Sequence, residues 1–378
     1  MPLAIAVVAI WLYLLAGRGG FWRMRQEPGE GVLPTPAPCI VAVVPARNEA
    51  AVVGMAIASL ARQEYPGEFH IIMVDDDSTD GTAAAARAAA PPEVLTVIHA
   101  DPTAKGWTGK LWAVSQGIRA AASFGPDYLL LTDADIVHPP GNLATLAARA
   151  AGDAQAPGYD LVSYMATLQC RAPAERALIP AFVFFFFLLY PPAWIRGARR
   201  STAGAAGGCM LVGAAMLERI GGIDAIAGEL IDDCALARAV KRHGGRVWLG
   251  LGAATRSIRE YSSFGEIERM ISRSAFTQLR HSTGLLIGTM LGLAVTYLAP
   301  PALTFAARGV PQALGAAAWL LMSIAYFPAL RFYRRSPLWA PLLPLVAAFY
   351  MGATIHSAVS YWRGAGGQWK GRIQDRQA

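Results

Sequence analysis

The stretch Tyr128-Leu129-Leu130-Leu131-Thr132-Asp133-Ala134-Asp135 decides the reading of this chain. An apolar run of strand length ends in two aspartates one residue apart. In an extended backbone, positions i and i+2 point to one side of a sheet. Asp133 and Asp135 are therefore expected to present two carboxylates to one point at the strand's carboxyl end, where open α/β sheets bind ligands. Two hard oxygen ligands with open positions suit Mg²⁺ or Mn²⁺ carrying a substrate's phosphates. An Asp-x-Asp alone is common in solvated turns, so its meaning depends on its surroundings.

Upstream, strand and helix alternate. Ile40-Val41-Ala42-Val43-Val44 reads as a strand stopped by Pro45, and Ala50 to Arg62 as a helix. Phe69 to Val74, Val94 to His99 and Asp127 to Thr132 read as further strands, with helices over Thr82 to Ala90 and Lys110 to Ala122. Continuously apolar strands alternating with helices predict an α/β domain with a mostly parallel, Rossmann-like sheet covered on both faces. Three polar clusters, Pro45–Glu49, Asp75–Asp80 and Asp133–Asp135, follow successive strands. Their shared position argues for one site. Downstream, Asn142 to Ala151 reads as a helix and Asp160 to Leu168 as a strand. Gly207-Gly208 allows close backbone approach to a ligand. Ile231-Asp232-Asp233 opens a helix closed by Gly244-Gly245. Asp233 at a helix start is placed to act as a general base. Asp232 is either the helix N-cap or a residue that binds the acceptor. Asp80 reads as a residue that caps the next helix and does no more. His99, His138 and His281 have no partner spacing and read as structural.

The chain has 378 residues, 54% hydrophobic and 16% charged, with mean hydropathy +0.36. That is too apolar for an ordinary soluble enzyme and too mixed for a membrane bundle alone. The net charge of +7 fits cytoplasmic loops and anionic headgroups. Nucleic-acid binding is not expected, because no Lys/Arg-rich run carries interleaved aromatics. Cys39, Cys170, Cys209 and Cys234 show neither zinc spacing nor a disulfide framework.

Residues 1–17 carry no charged side chain, and Arg18, Arg23 and Arg25 follow. This order predicts a short membrane anchor, or an interfacial helix, with its basic flank in the cytoplasm. Glu27 to Pro38 reads as a linker. A soluble domain is expected over 39–261, an amphipathic interface helix over 262–283, and about three membrane segments over 285–362: Leu285 to Ala307, Ala313 to Leu330 and Leu338 to Trp362. The basic loop Arg331–Arg335 places a cytoplasmic turn between the second and third. Three crossings would put the C-terminus outside, whereas Arg363, Lys370, Arg372 and Arg376 in the basic tail 363–378 favour inside; the tail's side stays open. Ala177 to Ile195, with Phe184 to Phe187, carries no charge over 19 residues. It is read as a membrane-surface segment rather than a crossing, because Pro180, Pro191 and Pro192 interrupt it and both flanks look like one domain.

With the motifs placed, a resemblance follows. Val44-Pro45-Ala46-Arg47-Asn48-Glu49, Val74-Asp75-Asp76-Asp77-Ser78-Thr79-Asp80-Gly81-Thr82, Gly109-Lys110, Asp133-Ala134-Asp135 and Asp232-Asp233 resemble the ordered motifs of family 2 glycosyltransferases of GT-A fold over roughly 39–282. Lys105 to Ala113 and Thr277 to Arg280 are most similar to the hopene-associated members; ceramide glucosyltransferases look more distant. The resemblance implies a nucleotide-sugar donor, a divalent cation and a lipid acceptor at a bacterial inner membrane, with the catalytic domain on the cytoplasmic side. Pro45, Arg47 and Glu49, with Asp75 or Asp76, would hold base and ribose, and Lys110 would sit beside the nucleotide. Asp133 and Asp135 would bind metal, and Asp233 would be the catalytic base, with Asp232 as its companion. The family's Gln/Arg-x-x-Arg-Trp motif is not intact; Arg273, Gln278 and Arg280 are the residues expected to replace it at the donor phosphates. Attack opposite the leaving group implies inversion at the anomeric carbon.

Overall fold

In a computed structural model, residues 1–26, 31–154, 156–369 and 372–375 are described. Part of the Glu27 to Pro38 linker, and Lys370 and Arg376 of the basic tail, lie outside them. The chain divides into two compact units. One comprises Arg25–Gln169 and Trp194–Arg259; the other comprises Met1–Met24, Cys170–Ala193 and Glu260–Ala378.

The first unit is built on an eight-stranded sheet with order β3-β2-β1-β4-β7-β6-β8-β5. The strands are β1 (Ile40–Ala46), β2 (Phe69–Asp75), β3 (Leu95–His99), β4 (Tyr128–Thr132), β5 (Ile136–Val137), β6 (Leu161–Thr167), β7 (Cys209–Gly213) and β8 (Val247–Ser257). β3, β2, β1 and β4 run parallel. β7 pairs antiparallel with β4 and β6, while β6 and β8 are parallel. The first half is thus the parallel sheet expected, and the second half is mixed. Every residue of β1 is buried, as a central strand covered on both faces requires. Ile40, Ile57, Leu60, Ile71, Leu146 and Trp248 are fully buried in one core; each large aliphatic contributes about 1.5–3 kcal/mol by burial.

Pro45 does not stop β1, which runs on to Ala46. The Ile40 amide donates to Glu68 on the β2 side, and alternation points position 45 to the β4 side. Pairing with β4 ends at Val43, so the missing N–H of Pro45 costs no ladder bond. β7 escaped the sequence reading, and of β8 the sequence predicts only a short strand over Val247 to Gly250. Cys209–Gly213 follows two glycines, and β8 carries three residues of a glycine-interrupted run, Gly250, Gly252 and Ala253, inside it. Neither shows the alternation or the long apolar run that marks a strand.

The second unit is helical. Among the described residues, four helices are long and apolar enough to cross a membrane: Pro173–Arg196, Thr283–Ala306, Val310–Phe332 and Pro337–Trp362. Pro2–Gly17 is shorter. The helix Thr283–Ala306 contains a π turn, Ala294–Leu298. Wide turns leave a carbonyl without its usual helical donor, and Thr296 O accepts from Trp11 Nε1 at 2.9 Å. Phe264–Gln278 is the expected amphipathic helix, N-capped by Ser263, with Ile267, Ile271 and Phe276 buried.

Pro191 and Pro192 interrupt 177–195 as expected, between a helix that ends at Leu189 and one that starts at Pro192, but Pro180 does not. The helix Pro173–Leu189 passes through Pro180, and Glu175 caps its start by accepting from the Arg171 and Ala172 amides. The other reason for denying a crossing gains support. β6 ends at Thr167 before this helix, β7 begins at Cys209 after it, and the two strands pair in one sheet. A single crossing would put hydrogen-bonded strands on opposite sides of a bilayer, and an unpaired return path is forbidden in hydrocarbon.

Candidate active site

Thr108 caps the helix Gly109–Ala121 by accepting from the Leu111 amide. This fixes Lys110 in the first turn. Its ammonium lies 3.0 Å from Asp133 Oδ1 and 3.0 Å from Asp232 Oδ2. Asp232 is the first residue of the helix Asp232–Arg242, whose cap is Ile231. The N-cap alternative for Asp232 is therefore set aside: its carboxylate faces Lys110. Asp233, next in the chain, accepts from the Gly207 amide through Oδ2 at 2.9 Å and from the Cys234 amide through Oδ1 at 2.7 Å. A Cβ at Gly207 would stand 3.4 Å from both Asp233 Oδ2 and Lys110 Nζ, so the backbone itself closes this side of the site.

The charges are crowded. Burial, reinforced by Asp232, pushes the Asp233 carboxyl up to about 6 against the opposing pull of Lys110 and two backbone N–H groups. Burial also raises Asp133; Lys110 offsets part of this, while Asp135 and Asp232 add to it. Burial alone would lower the Lys110 ammonium, but Asp133 and Asp232 overcome it and hold it raised.

Asp133 and Asp135 are not a continuation of β4. The strand ends at Thr132, and the Ile136 amide closes a turn on Asp133 O before β5 begins. The two carboxylates still sense each other, but each has its own cation. Asp135 Oδ2 accepts from Arg259 Nε at 2.9 Å and from Ser257 Oγ at 3.1 Å. The same guanidinium uses Nη2 to grip Glu49 Oε1. Arg259 and Ser257 were absent from the sequence reading. They lie at the end of β8, whose extension beyond Gly250 had no signal in the sequence. Among the described residues no cluster of three or more His, Cys, Asp or Glu is arranged to hold a metal ion. Two adjacent carboxylates with open positions fit a hard divalent ion that takes its remaining ligands from water and a substrate's oxygens.

At the ends of β1 and β2, Arg47 Nη1 donates to Asp76 O and lies 3.7 Å from Asp76 Oδ2 and 3.6 Å from Asp77 Oδ2. Asn48 and Asp77 both have left-handed backbone, at φ 52° and 55°. Glycine adopts this conformation at least cost, and asparagine and aspartate are among the side chains that tolerate it. Asp75 is buried and lies 3.3 Å from His99 Nδ1, while its Oδ1 has no hydrogen-bond partner among the described residues. His99 therefore touches the candidate site. Asp80 does more than cap: it accepts from the Thr82 and Ala50 amides, tying the two loops together. His138 is structural; it bonds Thr132 and Asn142, and burial lowers it to about 4.

The structure thus gathers Lys110, Asp133 and Asp232 into one cluster lined also by Pro45 and Gly207, sets Asp233 beside it on the Gly207 amide, and links Asp135 to Glu49 through Arg259. Arg273, Gln278 and Arg280 belong to the helical unit. There Gln278 exchanges hydrogen bonds with the Tyr190 hydroxyl, Arg273 is exposed, and Arg280 follows the helix end with φ 52°.

The sheet order, the acidic turn after β4 and the acid pair opening a helix define a GT-A architecture. The profile of the family "Glycosyltransferase like family 2" matches residues 36–277, and the chain belongs to this family of glycosyltransferases. A mannosyltransferase from Pyrobaculum calidifontis, solved with GDP-Man and Mn²⁺, is 20% identical over 94% of this chain and 98% of its own, with TM-score 0.54. Mannosyl-3-phosphoglycerate synthase from Rubrobacter xylanophilus is 20% identical over 72% of this chain and 83% of its own, with TM-score 0.38. Glucosyl-3-phosphoglycerate synthase from Mycobacterium tuberculosis is 18% identical over 68% of this chain and 85% of its own, with TM-score 0.42. No curated protein sequence matches the chain.

Proposed function

We propose that this protein is a membrane-bound, inverting glycosyltransferase that moves a sugar from a nucleotide-sugar, preferably a UDP-sugar, to a lipid hydroxyl. The observation that carries the proposal is the meeting of Lys110, Asp133, Asp232 and Asp233 at the carboxyl ends of the central strands. The fold's relative from Pyrobaculum was solved with a nucleotide-sugar and Mn²⁺, which supports the donor class and a divalent cation.

Asp133 and Asp135 would hold Mg²⁺ or Mn²⁺. When bound, the ion supplies positive charge for the departing diphosphate. Lys110 adds a fixed ammonium beside it and needs no reorganisation as charge develops. Asp233 is the general base: two backbone amides orient its carboxylate, and a value of about 6 leaves it ionised yet basic at neutral pH. It takes the proton of the acceptor hydroxyl as that oxygen attacks the anomeric carbon opposite the leaving group, so configuration inverts. Pro45, Arg47, Glu49, Asp75 and Asp76 form the nucleoside side of the site.

The acceptor assignment rests on the apolar helices and on sequence resemblance. A hopanoid is preferred because Lys105 to Ala113 is most similar to hopene-associated members. Residues Arg18, Arg23, Arg25 and Arg331–Arg335 support a bacterial inner-membrane location with the catalytic unit on the cytoplasmic side. The test is mass spectrometry of a hopanoid-containing lipid extract after incubation with purified protein, Mn²⁺ and a panel of sugar nucleotides, with Asp233→Asn as control. A hexose-sized gain on a hopanoid, absent in the variant, is expected. A gain on polyprenyl phosphate instead would reassign the acceptor. Nucleotide binding with no transfer to any lipid would mark a non-catalytic membrane scaffold.

A further inference from the structure

Arg259 stands between two parts of the site that the sequence reading treated separately. Its Nε lies 2.9 Å from Asp135 Oδ2, and Nη2 grips Glu49. Asp135 also accepts from Ser257 Oγ, and the Arg259 amide donates to that hydroxyl at 3.2 Å. The end of β8 therefore presents one guanidinium fork, with Ser257 beside it, to the turn after β4 and the loop after β1. A divalent ion at Asp135 and the Arg259 Nε–H would share one carboxylate, whose Oδ2 the guanidinium holds. They repel each other, so the guanidinium cannot keep its full grip once the ion binds. Its side chain is 31% exposed, which leaves it within reach of a ligand. A guanidinium released from one carboxylate has a planar pair of donors suited to phosphate oxygens.

We propose that Arg259 is a cation relay: it neutralises Asp135 in the free protein, yields that carboxylate to the divalent ion, and turns its freed N–H donors to the donor's diphosphate. Glu49 holds the other edge of the guanidinium through the exchange. This rests on the nucleotide-sugar reading above and adds a positioning residue from the catalytic unit itself. It supplies an arginine at the diphosphate whether or not Arg273 or Arg280 contributes.

The relay makes two binding signals move in opposite directions. Mn²⁺ binding without nucleotide is followed by loss of free-ion electron paramagnetic resonance signal. UDP binding at saturating Mn²⁺ is followed by titration calorimetry, using full-length protein in detergent. In Arg259→Gln, Mn²⁺ alone is expected to bind about tenfold tighter and UDP at saturating Mn²⁺ about tenfold weaker, the worth of one charge-assisted contact. Arg259→Lys keeps the charge but not the fork and is expected to fall between the two for both ligands. Circular dichroism melting checks that each variant folds; if Gln does not, the Lys variant carries the test. Parallel weakening of both ligands would overturn the relay and make Arg259 a structural strut for the turn. Tighter Mn²⁺ with unchanged UDP would also overturn it, leaving a simple competitor. Wild-type protein that binds neither ligand would overturn the donor reading and the relay with it.

Discussion

Replacing Asp233 by Asn separates catalysis from stability in a way the geometry fixes in advance. The folded protein holds this carboxyl at about 6, against about 3.9 for a free aspartate. The sign follows from burial: the fold opposes ionisation. The penalty is absent below the unfolded value, grows between about pH 4 and 6, and is complete above 6. At about 1.4 kcal/mol per pH unit it reaches on the order of 3 kcal/mol, less whatever solvent screens at this half-buried group. Asn carries no charge and escapes the penalty. It keeps one carbonyl acceptor, so one of the Gly207 and Cys234 amides loses its partner, at about 1–3 kcal/mol. The two effects nearly cancel above pH 7. The variant should melt within a few degrees of wild type at pH 7.5 and below wild type at pH 5, where wild-type Asp233 is largely neutral. Losing a general base costs about 10²–10⁴ in rate. In wild type, kcat/KM should rise with pH through about 6 and level off; the variant should show only residual activity and no such step. Assays are donor turnover against pH and differential scanning fluorimetry at both pH values. Near-wild-type turnover in Asp233→Asn, or a wild-type profile that falls through pH 6 as pH rises, would refute the assignment.

Other consequences follow from single contacts. Lys110 pulls the Asp233 value down, so Lys110→Met should lower kcat/KM on the order of 10²-fold and move the midpoint of the remaining pH profile above 6. Gly117 faces β1 and β2, and a Cβ there would lie 2.4 Å from Val43 Cγ1 and 2.9 Å from Val74 Cγ2. Gly117→Ala should therefore destabilise by about 1–3 kcal/mol despite its better helix propensity, read as an earlier melting transition with unchanged donor specificity. Under the proposed membrane location, the pairing of β6 with β7 puts both ends of Pro173–Leu189 on one side of the membrane. With Cys39 and Cys170 replaced by serine, Ala172→Cys and Arg199→Cys should be labelled from the same face of inverted vesicles by an impermeant maleimide; opposite labelling would show a true crossing.

Local signals in the sequence sufficed for the first half of the sheet, because β1, β2 and β4 are buried on both faces and read as unbroken apolar runs. The helix Asn142–Ala151 matched its expected bounds for a related reason, a proline-glycine start and a glycine end. The acid clusters were legible because all three follow successive strands, whose carboxyl ends a parallel sheet brings to one edge. What failed was long-range. Nothing near Arg259 announces that it will meet residues at 49 and 135, since the meeting is made by β8 pairing across the sheet with β5 and β6. The turn at Asp133–Asp135 broke the alternation argument, although the two carboxylates still sense each other, each on its own cation. The Pro180 expectation erred because a proline ring removes one bond from a helix without ending it when packing holds the rest.

The most direct test of the central claim is the anomeric configuration of the lipid product, read by proton NMR after transfer from a donor whose sugar is α-linked to its diphosphate. A single attack assisted by Asp233 predicts a β-linked product. An α-linked product would require a second displacement for which the cluster around Asp233 has no place in this account, and would contradict it.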